Sequence, residues 1–209
     1  MRVIAIIGDL VASKEVAKRE VFQRRLVKTL AEVADGAAHL ASPYTVTLGD
    51  EFQGVYRGAS SLFADVFTIM AEIHPVRARF ALGVGELTTR INPRQALGMD
   101  GPAFHQARAA LTSLKEDGRL LRIAGQSPDT WRLQNHVLNL ISHQVDGWTR
   151  NRLLIVAGLL RGSAPKEIEA GLSISRVAVY KNIRAAALDD VVGICHELSR
   201  VLDETLRAP

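Results

Sequence analysis

The sequence predicts an α+β protein: a ferredoxin-like β-α-β-β-α-β unit with additions, followed by an all-α helix-turn-helix domain. Three observations lead there. Short runs rich in β-branched residues alternate with helical apolar periodicity through the first two thirds of the chain. A Gly-Asp pair, Gly49-Asp50, stands between two strand-like runs. Residues 149–209 carry helix signals only.

The elements follow in order. Arg2–Ile7 reads as a buried strand that ends at Gly8-Asp9. From Lys18 to Gly36 the positions Phe22, Leu26, Leu30 and Val33 recur at helical spacing, with Arg24, Arg25, Lys28 and Glu32 between them. Tyr44–Leu48 and Phe52–Tyr56 form a hairpin around Gly49-Asp50-Glu51. Leu62, Phe63, Val66, Phe67, Met70 and Ile73 mark a helix that Pro75 stops. Val76–Gly85 alternates, with Val76, Ala78, Phe80, Leu82 and Val84 on one face and Arg77, Arg79, Ala81, Gly83 and Gly85 on the other. Two glycines on one strand face imply a large neighbour close by. Asp100-Gly101-Pro102 opens a further helix with Phe104, Ala107, Leu111 and Leu114 inward. Strand-like pieces follow at Leu120–Ala124 and Trp131–Leu133. The predicted layout is a domain over 1–134, a connecting helix over 135–148 and a helical domain over 149–209.

Composition narrows the function classes. The chain has 209 residues, 47% hydrophobic and 23% charged, which is ordinary for a soluble globular protein. No apolar run approaches the ~20 residues that a membrane helix needs, so no membrane partner is expected. The apolar start is too short for a signal-peptide core. Cys195 is the single cysteine, which excludes a disulfide framework and a thiolate zinc site and makes a reducing cytoplasm the expected compartment.

Net charge is +4, unevenly spread. Residues 149–186 hold Arg150, Arg152, Arg161, Lys166, Arg176, Lys181 and Arg184 against only Glu167 and Glu169, while 187–209 are net acidic. A short basic segment of this kind favours polyanions.

Two constellations carry chemistry. With a right-handed crossover, strands one and two run parallel with strand three between them. Asp9 at the end of strand one then meets Asp50 and Glu51 at the hairpin tip. Carboxylates brought close repel one another, and a divalent cation relieves the repulsion; Mg²⁺ takes one or two carboxylates plus phosphate oxygens. The expectation is a metal–phosphate site holding Mg²⁺ or Mn²⁺ on Asp9, Asp50 and Glu51. Gly8, Gly49 and the loop with Ser13 and Lys14 would supply room, backbone N–H groups and a cation. The bland alternative is a turn-capping Asp9 and a solvated hairpin tip.

The second constellation is Pro165 to Lys181. A short helix started by Pro165, a turn at Gly171-Leu172-Ser173 and a second helix capped by Ser175 resemble the helix-turn-helix of many bacterial regulators. Ile168, Leu172, Ile174, Val179 and Ile183 would pack the pair. Ser175, Arg176, Tyr180, Lys181 and Arg184 would face DNA, either bases or phosphates. A helical hairpin for docking is the alternative. Val191, Val192, Ile194, Leu198, Val201 and Leu202 predict a last helix that packs on a partner, as in a homodimer. Trp131 and Trp148 read as packing anchors.

Three ordered strings bear a family resemblance: Gly8–Ser13 as G-D-x-x-x-S, Leu48–Gln53 as L-G-D-E-F-Q, and Asp100–Arg108 as D-G-P-A-F-H-x-A-R. Together they resemble the SatD family, over residues 1–124 and, with its helix-turn-helix tail, much of the remainder. Thr47–Phe52 also resembles the GGDEF signature of diguanylate cyclases and the Gly-Asp hairpin of class III nucleotide cyclases. The resemblance implies a cyclase-like palm with Asp9 and Asp50 as metal ligands and Gly83, Gly85, Asp100, His105 and Arg108 near a nucleotide. Leu48 replaces the first Gly of GGDEF, and Val46 stands where adenylyl cyclases carry a base-reading Lys. His105 replaces the helix Asn, a site better suited to a hydrogen-bonded helix residue than to a catalytic base. The expected function is therefore a DNA-binding regulator whose palm takes a nucleotide or other phosphate-bearing small molecule. The alternative is a metal-dependent nucleotidyl cyclase or nucleotidyltransferase. A purely structural palm is a third reading.

Overall fold

The structure is a computed structural model that describes residues 1–12, 19–47 and 50–208. In order the elements are β1 (Arg2–Leu10), α1 (Arg19–Gly36), β2 (Leu40–Val46), β3 (Glu51–Tyr56), α2 (Leu62–Ile73), β4 (Ala78–Glu86), α3 (Pro102–Asp117) and β5 (Leu121–Ala124). A short 3₁₀ turn (Pro128–Trp131) leads to α4 (Arg132–Val145), α5 (Arg150–Leu160), α6 (Pro165–Leu172), α7 (Arg176–Ala185) and α8 (Leu188–Arg207). The mixed α+β class is as expected.

One five-stranded sheet has the order β2-β3-β1-β4-β5. β3 is antiparallel to both β1 and β2, so it lies between them as the crossover argument required. β4 is antiparallel to β1, and β5 is parallel to β4. Side chains on β1 divide by parity. Ile4, Ile6 and Leu10 join the core formed with α1 and α2. Val3, Ala5 and Ile7 join a second core with Ala103, Ala107 and Leu111 of α3. An apolar strand covered on both faces explains why Arg2–Ile7 reads as a continuous run rather than an alternation.

Several expectations shift. β1 does not stop at Gly8; Leu10 N donates to Asp50 O (3.0 Å) and Val11 N to Arg77 O (2.8 Å), which carries the ladder past Asp9. β2 starts earlier than predicted and reaches β3 through register irregularities. The second face of β4 is buried under α3, the close neighbour that its two glycines implied. Trp131–Leu133 is helical rather than extended. The Asn135 side chain binds both Ile123 N (2.9 Å) and Ile123 O (2.8 Å), so β5 meets an amide where a further strand would pair. Helix α4 consequently begins at Arg132 rather than at 135.

The C-terminal helices pack on the sheet's helical layer. α5 lies against α2, and Trp148 stacks on Phe67 with ring centroids 6.2 Å apart. Apolar contacts continue unbroken from the sheet through α2 and α5 to α7 and α8, so the core has no gap at 149. A buried polar chain supports this junction. Arg161, just after α5, binds Asp65 Oδ1 (3.1 Å) and Thr68 Oγ1 (2.8 Å). Tyr56 donates to Asp65 Oδ2 (2.9 Å), and the Tyr44 and Tyr56 hydroxyls lie 3.1 Å apart. Burial pushes the carboxyl of Asp65 up, against the opposing pull of its hydrogen bonds and of Arg161. The tyrosine hydroxyls are raised for the same reason, loss of water.

Helix α8 is covered in part within this chain, while Val192, Ile194 and Val201 stay partly open. Val191, Leu198 and Leu202 are buried within this chain, where α8 meets α5, α7, α2, β1 and β4. Arg2 reaches the carbonyls of Thr205 (3.2 Å) and Ala208 (3.1 Å), and Ala59 N donates to Asp203 (2.7 Å). Trp131 and Trp148 are buried anchors as predicted.

Candidate functional site

The register sets Glu51 of β3, Asp9 of β1 and Arg79 of β4 side by side in one row. Directly opposed residues point to the same face, here the α3 face. Asp9 and Glu51 therefore come together as the sequence predicted. Asp50 sits beside them through its carbonyl, which accepts from Leu10 N. Ser13, Lys14, Leu48 and Gly49 lie outside the described residues.

The carboxylates arrive with cations already on them. Asp9, 4% exposed, binds Arg79 through Oδ2 (3.0 Å) and Lys115 through Oδ1 (2.8 Å). Glu51 binds Arg108 through Oε2 (2.6 Å) and Lys115 through Oε1 (3.4 Å). Partial burial acts to lower the Lys115 pKa, but the hydrogen bond and charge of Asp9, aided by Glu51, outweigh it and the pKa is raised. Lys115 also sits in the last turn of α3, where a helix terminus favours positive charge. Arg79 Nε is buried and has no hydrogen-bond partner among the described residues.

A divalent metal does not fit this arrangement. All four oxygens of Asp9 and Glu51 face ammonium or guanidinium groups. Among the described residues no group of three acidic, His or Cys side chains is arranged to hold a metal ion. The expectation of Mg²⁺ or Mn²⁺ on Asp9, Asp50 and Glu51 did not reckon with Arg79 and Lys115, which engage the carboxylates of Asp9 and Glu51.

The predicted glycines take up packing rather than ligand space. The Phe52 ring crosses Gly8, where an added Cβ would lie 2.2 Å from it. At Gly83 a Cβ would lie 2.0 Å from Ala103 O, and at Gly85 it would lie 2.8 Å from Ala103 N. Helix α3 thus rests on the glycine face of β4, and the Phe52 ring covers Gly8. Asp100 and His105 bind each other (2.9 Å) at the exposed start of α3, the hydrogen-bonded role expected of His105. Arg79 and Lys115 were the residues missed. Lys115 follows Arg108 by seven positions, two helical turns, so helical spacing already places them on one face.

The second candidate surface is α6–α7. Pro165 opens α6, and Glu167 accepts from Ala164 N (2.9 Å). Ser173, at φ 53°, ends α6; Ser173 N binds Ala170 O and Ile174 N binds Glu169 O, a Schellman closure. The turn therefore forms at Ser173, and Gly171 stays helical. Ser175 accepts from Ala178 N (3.2 Å), the predicted N-cap. Ile168, Val179 and Ile183 are buried, with Leu172 and Ile174 packed beside them. The outer face of α7 shows Val177 (76% exposed) and Tyr180 (44%) between basic residues. Arg176 binds Glu169 (3.0 Å), whereas Lys181 and Arg184 have no partner among the described residues. Part of the local charge excess faces inward: Arg150 binds Glu72 (2.6 Å) and Arg161 binds Asp65. No described helix is long and apolar enough to cross a membrane.

An α+β sheet with a cation-covered acidic pair at one strand end, continued by a helical tail, defines the class of this protein. The SatD family profile matches residues 3–190, and the chain belongs to the SatD family. No match was found among curated proteins. Two solved structures of a bacterial light-regulated adenylyl cyclase are similar in part. One has 14% identity and a TM-score of 0.44, over 58% of this chain and 74% of that chain. The other has 13% identity and a TM-score of 0.43, over 59% and 43%.

Proposed function

We propose that this SatD-family chain is a DNA-binding regulator. Its ferredoxin-like, palm-like part over residues 1–134 binds a nucleotide or other phosphate-bearing small molecule, and its helix-turn-helix over 149–209 binds DNA. The carrying observation is α7: a helix capped by Ser175, anchored inside by Val179 and Ile183, with the Lys181 and Arg184 side chains on its outer face and without a partner among the described residues. Arg176 and Tyr180 complete that face, with Val177 as an apolar contact suited to a thymine methyl. Two copies in the cytoplasm would present paired α7 helices to half-sites about 34–36 Å apart. At the palm, half-exposed Arg108 offers a guanidinium fork to phosphate, and Arg79 adds an unsatisfied donor. Ligand binding would bias the placement of the two tails and so change operator fit.

Fluorescence anisotropy with the protein's own promoter and with a random duplex tests the DNA half. Preference for the promoter is expected, and equal competition by random DNA removes the regulatory reading. Calorimetry with each nucleoside mono-, di- and triphosphate, repeated on Arg108→Ala, tests the ligand half. No heat from any nucleotide removes it.

The adjacency of Asp9 and Glu51 favours one second reading, a Mg²⁺- or Mn²⁺-dependent nucleotidyl cyclase or nucleotidyltransferase. It requires Lys115 and Arg79 to give way to metal. Pyrophosphate release from a nucleoside triphosphate with Mn²⁺, abolished by Asp9→Ala, would support it; four negative triphosphates with folded protein would end it.

A further inference from the structure

We infer that the Lys115 ammonium is the resident cation of the Asp9–Glu51 pair, occupying the place of a divalent metal, so that this site meets its anionic ligand without one. The ammonium bridges the two acids, at 2.8 Å from Asp9 Oδ1 and 3.4 Å from Glu51 Oε1. Each remaining oxygen is engaged by a separate guanidinium, Arg79 or Arg108. Lys115 alone engages Asp9 Oδ1 and Glu51 Oε1, the two oxygens that a metal between the acids would take. A divalent ion would sit within a few ångströms of an ammonium and be repelled by it. Mg²⁺ also asks for oxygen ligands at about 2.0–2.1 Å in near-octahedral geometry, and the oxygens here are already committed to N–H donors. The row is held rigidly: Asp9 and Glu51 are register partners inside the sheet, and Lys115 is in the last turn of α3. Helix α3 is in turn seated on Gly83 and Gly85.

The second half of this inference rests on the phosphate-ligand reading; the first half does not. Mn²⁺ titration followed by electron paramagnetic resonance tests the first half. Wild type and Lys115→Arg are expected to show no saturable Mn²⁺ at this site. Lys115→Ala and Lys115→Met are expected to gain one site at least tenfold tighter, which Asp9→Asn then removes. The methionine variant keeps the aliphatic stem, so the test survives if the alanine variant unfolds. A wild-type Mn²⁺ site lost in Asp9→Asn would overturn the inference, as would neutral variants that bind no tighter than wild type. Inorganic pyrophosphate tests the second half. It should bind equally in EDTA and in Mg²⁺; binding that requires Mg²⁺ would overturn it. Absence of binding in both buffers would overturn the ligand reading and with it this second half, while the Mn²⁺ result still decides the role of Lys115.

Discussion

At the scale of single residues, buried charge decides the consequences. Asp65 is 1% exposed and shares its oxygens between Tyr56 and Arg161. Truncating Arg161 leaves a buried carboxylate without its cation, at a cost of about 2–4 kcal/mol. Its pH dependence has a definite sign. The folded-state pKa of Asp65 is raised by burial, so protonation favours the folded form. That contribution is present below the unfolded value of about 3.9 and is lost as pH rises through the folded value. The stability deficit of Arg161→Ala, measured by urea denaturation, should therefore be larger at pH 7 than at pH 5. A deficit that grows on acidification would contradict the arrangement. Cys195 is buried and its thiol is pushed up to about 12, so it contributes packing rather than nucleophilic chemistry.

At the scale of elements, small residues determine which helix meets which strand. Gly83→Ala would place a methyl 2.0 Å from Ala103 O and 2.3 Å from Ala107 N, both backbone atoms that cannot rotate away. α3 must then lift off β4, at a cost of about 2–3 kcal/mol. A fall in Tm of roughly 5–10 °C is expected for a chain of this length, read by differential scanning calorimetry. The sequence carried this contact openly: two glycines on one strand face, and Ala103 and Ala107 one helical turn apart. The row of Glu51, Asp9 and Arg79 was half legible. The acids stood out in their motifs, whereas nothing in the sequence tied Arg79 to them until register placed it beside Asp9. Trp131 misled for a different reason. Its β preference lost to the Ser127-Pro128 turn and to Asn135, whose amide binds β5 across a span no local pattern reveals.

At the scale of the whole molecule, the place of β3 between β1 and β2 followed from strand signals and crossover handedness, whereas the β5 edge did not. The docking of the tail did not, since α8 carries an amphipathic stripe that would serve a second copy as well as its own α5 and α7. Net charge needs the same care: Arg150, Arg161 and Arg176 are paired with acids, which leaves Lys166, Lys181 and Arg184 without an acidic partner among the described residues. For a DNA-bound tail, Lys181→Ala and Arg184→Ala should each lower affinity across all sequences. Each should also reduce the slope of log affinity against log salt by about 1. Unchanged slopes in both variants would take α7 off the phosphate backbone. The clasp between Arg2 and the carbonyls of Thr205 and Ala208 has a practical corollary. It holds Arg2 beside Ala208, so a short Gly-Ser bridge between these two described positions is expected to give a foldable circular permutant. With fresh termini cut at the exposed Gly36–His39 turn, the rearranged polypeptide should melt as one cooperative unit.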